Sequence, residues 1–301
     1  MGAGEHPTVR VECPGGAVEL VADLTAENCK RCSDEVSAVA ARGYGGEAML
    51  RWVFGRGAVE RLRERGVDDD GVAFLYAQMA AEVKARRADA IAEVAENPRP
   101  RRRELRSRPL SDAKPKGRSA CVAGHKVDDS AAMFMRLMDI LEDERLAECE
   151  RFDALCAAVF PVYAGADRCG DAAEVLWEAF GIDALGRHGD KTGGAPCIDW
   201  HQDAGRIRSS LKMAYGIDWD AEAADMPFRD LCDLLAGLTE GTGETPFQQA
   251  VYYRTARPPR RDKYNMVAVE AFEAAREHYA LDRAAGDPHG DELLRRIADG
   301  G

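Results

Sequence analysis

Acidic and histidine side chains alternate at one point in the chain. Asp199, His201 and Asp203 are spaced two residues apart, and carboxylate and imidazole groups are common metal ligands and general acids or bases. In a helix, however, residues two apart point about 200° apart, because each residue turns the helix by roughly 100°. The three side chains could then form one site only together with residues from elsewhere in the chain. Asp199, with Gln202 three residues later, equally fits the capped start of a helix, and a metal-dependent hydrolase is the weakest of our function hypotheses.

Two other segments contain residue types found in phosphate-binding loops or metal sites, but their spacing does not fit either kind of site. The glycine-rich stretch 186–194 contains a Lys-Thr pair, but an aspartate precedes the lysine where a phosphate-binding loop needs glycine. Among nine cysteines, only Cys29 and Cys32 have the spacing of metal ligands, and no second pair completes a set of four. We expect reduced, structural thiols. The sequence therefore predicts no enzyme, no metal site and no cofactor.

Aromatic and basic residues alternate between positions 252 and 264. Tyrosine and arginine are favoured at the centres of protein interfaces, so this segment is the most function-like surface in the sequence. The alternative is a solvated loop between two helices, held open by Pro258 and Pro259. The candidate partner-binding residues are Tyr252, Tyr253, Arg254, Arg257, Arg260 and Arg261.

A basic, proline-rich stretch divides the chain. Residues 98–118 include four prolines and nine lysines or arginines, which favour a solvated linker over a regular helix. A nucleic-acid-binding protein that uses this stretch and the Arg254 loop is the alternative function. Aromatic residues for base stacking are absent from 98–118, and the net charge of −12 disfavours binding of nucleic acid by the whole surface.

Apolar periodicity predicts a mainly α protein with two helical domains. The N-terminal domain opens with a β-hairpin and is therefore α+β, because extended runs at 9–13 and 18–21 flank Pro14-Gly15-Gly16. Its helices are predicted over 26–41, 47–63 and 72–95. The predicted divisions are 1–97 for the hairpin and its helices, 98–126 for the linker, 127–282 for the second helical domain and 283–301 for a loose tail.

The second domain should have its core along one apolar stripe. Helical spacing relates Phe228, Leu231 and Leu235, and Trp200 stands at the start of the helix that would face them. We expect Trp200, Phe228, Leu231 and Leu235 to be buried together as structural residues.

Composition describes a soluble, globular chain. Its 301 residues suffice for two domains, and 46% are apolar and 31% charged. No N-terminal segment resembles a signal peptide, and no apolar run is long enough to cross a bilayer. We expect a cytoplasmic protein without a membrane partner.

The order of short motifs in the second half resembles the bacteriophage gene-product-fifteen family, which is encoded among siphophage tail genes and is tail-assembly-chaperone-like. The resemblance begins near Ala132-Met133-Phe134 and covers about half of the chain. Its motifs are Phe160-Pro161, Leu176-Trp177, Ile198-Asp199-Trp200, Tyr215-Gly216-Ile217-Asp218, the Phe228 to Leu238 helix, Thr245-Pro246-Phe247, Tyr253-Arg254-Thr255 and Tyr279-Ala280-Leu281.

The first half carries a shorter resemblance. The Phe54-Gly55-Arg56-Gly57-Ala58 segment is similar to one in small upstream tail-assembly chaperones, which would make this chain a joined product of two tail-assembly genes. Together the resemblances imply a phage or prophage tail assembly chaperone in the host cytoplasm. The implied partners are the tail tape-measure protein and the tail tube protein. Self-association is also open, and nucleic acid is not an expected partner.

Overall fold

The chain forms two compact, mainly helical units. The computed structural model describes residues 5–42, 46–99, 108–160, 169–188, 197–240, 245–262 and 264–281. Unit 1 consists of Met1–Arg101 and Ile140–Ala158, and unit 2 consists of Arg102–Asp139 and Val159–Gly301. A two-stranded antiparallel hairpin opens the chain, which confirms the predicted fold class. None of the helices in these ranges is both long enough and apolar enough to cross a lipid bilayer.

The first hundred residues contain one hairpin and four helices. Strand β1 (Thr8–Val11) pairs with strand β2 (Val18–Val21), with Thr8 opposite Val21. The helices are α1 (Ala26–Arg42), α2 (Glu47–Phe54), α3 (Ala58–Glu64) and α4 (Asp69–Glu96).

The remaining elements follow residues 100–107, which are outside the described ranges. A 3-10 turn at Leu110–Asp112 precedes a second antiparallel hairpin. The elements are β3 (Ala120–Val122), β4 (His125–Val127), α5 (Ala131–Glu142), α6 (Glu148–Val159), α7 (Cys169–Phe180), α8 (Ala204–Tyr215), α9 (Trp219–Glu222), α10 (Phe228–Thr239), α11 (Pro246–Thr255) and α12 (Met266–Tyr279). The tail predicted over 283–301 lies outside the described residues.

Glycine interrupts the second predicted helix. The sequence predicted one helix over 47–63, but α2 ends at Phe54 and α3 begins at Ala58. Gly55 and Gly57 between them have φ angles of 84° and 80°, a region that side chains disfavour. The break lets Val53 and Leu62 reach the same apolar core.

The cysteine pair of the first domain is part of that core. Cys29 and Cys32 are buried free thiols on α1. Burial raises the pKa of Cys29, and burial together with the neighbouring Cys29 raises the pKa of Cys32 to about 12. Both side chains therefore stay protonated at neutral pH and pack as thiols in the apolar core.

Unit 1 also includes a segment from beyond the predicted linker. Residues 140–158 fall within the predicted second domain, yet they pack with unit 1. Arg87 of α4 donates two hydrogen bonds, each of 2.7 Å, to the carboxylate of Glu150 on α6, and both side chains are buried. Arg145 pairs with Glu93 and donates to the carbonyl of Asn97, at the end of α4. These contacts join the end of α4 to the start of α6.

Residues 108–126 of the predicted linker are folded as part of unit 2. The indole of Trp219 donates a 2.8 Å hydrogen bond to the carbonyl of Leu110. Three basic side chains pair with acidic ones of the same unit: Arg108 with Asp112 and Asp220, Lys116 with Asp225, and Arg118 with Asp129. The basic composition of 108–118 thus serves ion pairing within unit 2, and an open linker does not extend through this stretch.

The core of unit 2 is aromatic. The ring of Phe134 on α5 lies 3.9 Å from that of Phe228 and 5.1 Å from that of Trp200, measured between centroids. Trp200 and Phe228 are buried, as are Leu231 and Leu235 of α10. The stripe recognised in the sequence therefore lies on the buried face of α10.

Leu231→Ala is expected to lower the free energy of unfolding by roughly 2–5 kcal/mol, because the buried side chain would leave a cavity. Urea denaturation followed by tryptophan fluorescence reports on unit 2, where Trp200 and Trp219 are buried. Leu185→Ala, at a residue 39% exposed, is the matched control and should stay within about 0.5 kcal/mol of the parent. A loss below about 1 kcal/mol for Leu231→Ala would contradict a core role for this position.

Candidate protein-binding surface of α11 and α12

Asp199 and Asp203 order the turn that precedes α8. The carboxylate of Asp199 accepts hydrogen bonds from the backbone amides of His201 and Gln202, at 2.9 and 2.8 Å. Asp203 in turn accepts a 3.1 Å bond from the amide of Asp199. All three residues, Asp199, His201 and Asp203, are buried. These bonds satisfy backbone donors of the turn that leads into α8. The predicted side-chain cap is not formed on the helix itself, because its N-cap residue, Asp203, makes no side-chain capping bond.

His201 lies beside a second buried carboxylate. Its Nε2 is 3.6 Å from Oδ1 of Asp139 on α5, and both side chains are almost completely buried. In the part of the chain that the structure describes, no group of three or more His, Cys, Asp or Glu residues is arranged to hold a metal ion.

Arg254, a predicted surface residue, is instead an interior one. Its side chain is 5% exposed, and its guanidinium binds both carboxylate oxygens of Asp203, at 2.6 and 2.9 Å. It also donates to the carbonyls of Cys197 and Tyr279. All of these contacts lie within unit 2. Through them, Arg254 on α11 is joined to Asp203, just before α8, and to the end of α12.

The other members of this junction are aromatic. The ring of Tyr253 stacks on that of Tyr279, with centroids 5.5 Å apart and planes 4° apart. The guanidinium of Arg206 lies 5.1 Å from the centroid of the Tyr279 ring, and the hydroxyl of Tyr279 lies 3.1 Å from the Gln249 side chain. The end of α12 is thereby held firmly against α8 and α11. Tyr253, which is half-buried, supports this junction.

Large apolar side chains are exposed around the start of α12 and on α11. Tyr264 is 83% exposed, Val267 81% and Tyr252 54%, and Met266 is also exposed. These four account for four of the ten exposed large apolar residues in the described ranges. They share one helix–loop–helix segment, in which α11 and α12 pack through Tyr252, Tyr253 and Phe272.

The predicted arginines differ in their surroundings. Arg257, Arg260 and Arg261 are all exposed on the loop between α11 and α12. Arg261 pairs with Glu273 of α12, at 2.9 Å, whereas Arg257 and Arg260 form no ion pair with another described residue. Asn265 donates to the carbonyl of Arg260 and accepts from the amide of Asp262, which orders the loop.

We define the α11–α12 surface as Tyr252, Arg257, Arg260, Tyr264, Met266 and Val267. Sequence reasoning pointed to the first four, with Tyr264 at the end of the aromatic and basic segment, and missed the contribution of Met266 and Val267. The missed signal for Val267 lay in the helical period of α12: Val269 and Phe272 form its buried stripe, and Val267 lies on the opposite side of the helix.

The structure is that of a mainly helical protein with an ordered, exposed and partly apolar surface on α11 and α12. Comparison with protein-family models, with curated proteins and with solved structures found no match to this chain.

Proposed function

We propose that the protein is a non-enzymatic assembly factor that binds another protein through the α11–α12 surface. The observation that carries this proposal is the concentration of exposed Tyr252, Tyr264, Met266 and Val267 in one short segment. Exposed apolar side chains that lie close together mark protein interaction sites more often than scattered ones do. Aromatic residues, methionine and arginine are also enriched at interfaces.

The support beneath this surface favours recognition with little conformational cost. Arg254 and Asp203 fix α11 to α8, and Tyr253 stacks on Tyr279 of α12. A surface on a rigid scaffold loses less conformational entropy when it binds. The surface is therefore suited to a partner that docks against a preformed face.

The particular role that we propose is that of a phage or prophage tail assembly chaperone. The resemblance of its motifs to the gene-product-fifteen family supports this role and suggests the tape-measure protein as the main partner and the tail tube protein as a second. Work of this kind takes place in the cytoplasm of the bacterial host. An exposed apolar surface that covers the apolar face of a helical protein would keep that protein soluble.

A protein partner is better supported than a nucleic acid. Arg108, Lys116 and Arg118 of the basic stretch are paired with acidic side chains of unit 2. Phosphate binding by these residues would first have to break the pairs.

Replacing Tyr264 and Val267 together by serine should weaken capture of a co-expressed, tagged tape-measure protein at least about tenfold, since each side chain would otherwise bury apolar area worth more than 1 kcal/mol. The double variant should keep the circular dichroism spectrum of the parent, because both residues are exposed. The matched control is Met213→Ser, an exposed apolar residue of α8, which should leave capture unchanged. Equal capture by variant and parent would contradict the proposal. If the variant captures the tape-measure protein normally but is retained less by immobilised DNA, the nucleic-acid alternative would be favoured.

A further inference from the structure

The outer face of α12 has the spacing of a helix-packing seam. Val267, Ala271, Ala274 and His278 are separated by four, three and four residues, and all four are exposed. At roughly 100° per residue they fall within an arc of about 60°. The buried residues Val269 and Phe272 lie on the opposite side of the helix. Tyr264, just before the helix, extends the same 3-4 spacing in the sequence. Such spacing suits contact with one other helix.

One border of this seam is acidic. Glu270 and Glu277 are exposed and lie about 60–80° from the direction of Val267, so they correspond to the flanking charged positions of a coiled coil. Glu273, further round the helix, is already paired with Arg261. The opposite border contains Ala268 and Ala275, which bring no charge. The seam itself is therefore edged by two negative charges, although Arg257 and Arg260 lie on the preceding loop.

We infer that the partner presents a helix with an apolar 3-4 seam bordered by lysine or arginine residues. This inference rests on the proposed function and specifies its partner by chemistry. Charge complementarity selects the basic border, because Glu270 and Glu277 face the flank of any helix packed on Val267 and Ala271. A second copy of α12, packed antiparallel, would bring the acidic borders of both copies together, and like charges in such positions are destabilising.

Synthetic helical peptides of about three heptads provide the test. Three peptides share one apolar seam and carry lysine, glutamine or glutamate at the flanking positions. Fluorescence anisotropy with the full chain should show the lysine peptide binding roughly three- to thirtyfold more tightly than the glutamate peptide. Glu270→Lys combined with Glu277→Lys should reverse this order. The control, Glu174→Lys with Glu178→Lys on the exposed face of α7, makes the same change in charge elsewhere and should leave the order unchanged.

The outcomes separate this inference from the proposed function. Equal binding of the three peptides, or no binding of any, would overturn the basic border. If those peptides fail to discriminate but the serine variant of Tyr264 and Val267 still captures less tape-measure protein, the proposed binding surface is supported and only the basic border is rejected. Self-association of the parent that Val267→Ser abolishes would identify a second copy as the occupant and would also overturn the inference. Preference for the lysine peptide with reversal by the lysine variant supports it.

Discussion

Arg254→Ala is expected to lower the free energy of unfolding of unit 2 by about 3 kcal/mol, because the buried carboxylate of Asp203 then keeps only Arg206 as a charged partner. Asp203 is completely buried and receives two of its hydrogen bonds from Arg254. The variant also loses the bond to the Tyr279 carbonyl, which helps to hold the end of α12. Urea denaturation followed by tryptophan fluorescence measures the effect.

Arg257→Ala is the matched control for this result. It removes the same side chain three residues along the chain, from an exposed position, and should change stability by less than about 0.5 kcal/mol. A double-mutant cycle with Asp203→Asn should show strong coupling, since each single substitution leaves one charge of the buried pair without the other, and the double substitution removes both. Additive effects of the two single substitutions would contradict the pairing, and so would a cost below about 1 kcal/mol for Arg254→Ala.

Glu150→Ala is the corresponding experiment in unit 1, with an expected loss of about 3–5 kcal/mol. The substitution leaves the guanidinium of Arg87 buried without the carboxylate that accepts two of its hydrogen bonds. Hydrogen exchange of the α4 amides measures the loss in unit 1. The control is Glu93→Ala, which removes an exposed partner of Arg145 and should cost less than about 1 kcal/mol.

The carboxylate of Glu150 also determines the direction in which the stability of unit 1 changes with pH. Burial alone would raise the pKa of Glu150, but hydrogen bonds from Arg87 and from the Ala147 amide outweigh burial and lower it below its ordinary value of 4.5. A carboxylate with a lowered pKa stabilises the fold fully above its unfolded pKa and loses that contribution as the pH falls through the folded one. Unit 1 of the parent should therefore lose stability as the pH drops below about 4.5.

Glu150→Ala should flatten this acid dependence. Asp143 will still contribute a slope of the same sign. Burial alone would raise the pKa of Asp143, but hydrogen bonds from Arg145 and Arg99 outweigh burial and lower that pKa. Acid profiles of equal steepness in parent and variant would show that Glu150 is not the titrating group.

Local patterns predicted most of the helices, because each depends on residues close in sequence. The apolar period of α10 and the capping box of α11, in which Thr245 and Gln248 bond reciprocally, are both visible in a few letters. The break between α2 and α3 was missed, although Gly55 and Gly57 mark it, because the apolar period continues across them.

Long-range partners account for what the sequence did not predict. Arg254 looked like an interface residue, since its acidic partner Asp203 is 51 positions away. Arg87 and Glu150 are 63 positions apart, so periodicity gave no reason to assign α6 to unit 1. In the same way, the ion pairs of Arg108 and Lys116 turned an apparent linker into part of unit 2. Side-chain type alone does not show whether a charge meets solvent or a buried partner.

The return of residues 140–158 to unit 1 has a consequence for the order of synthesis. A growing chain often completes its N-terminal domain first, but here Arg87 leaves the ribosome long before Glu150 and must await its carboxylate. Unit 1 therefore finishes folding only after residues 102–139 of unit 2 have been made. For the same reason, no single cut in the chain yields both units complete. A gene boundary within 98–126 would leave the upstream product without α6 and with the guanidinium of Arg87 lacking its counter-charge.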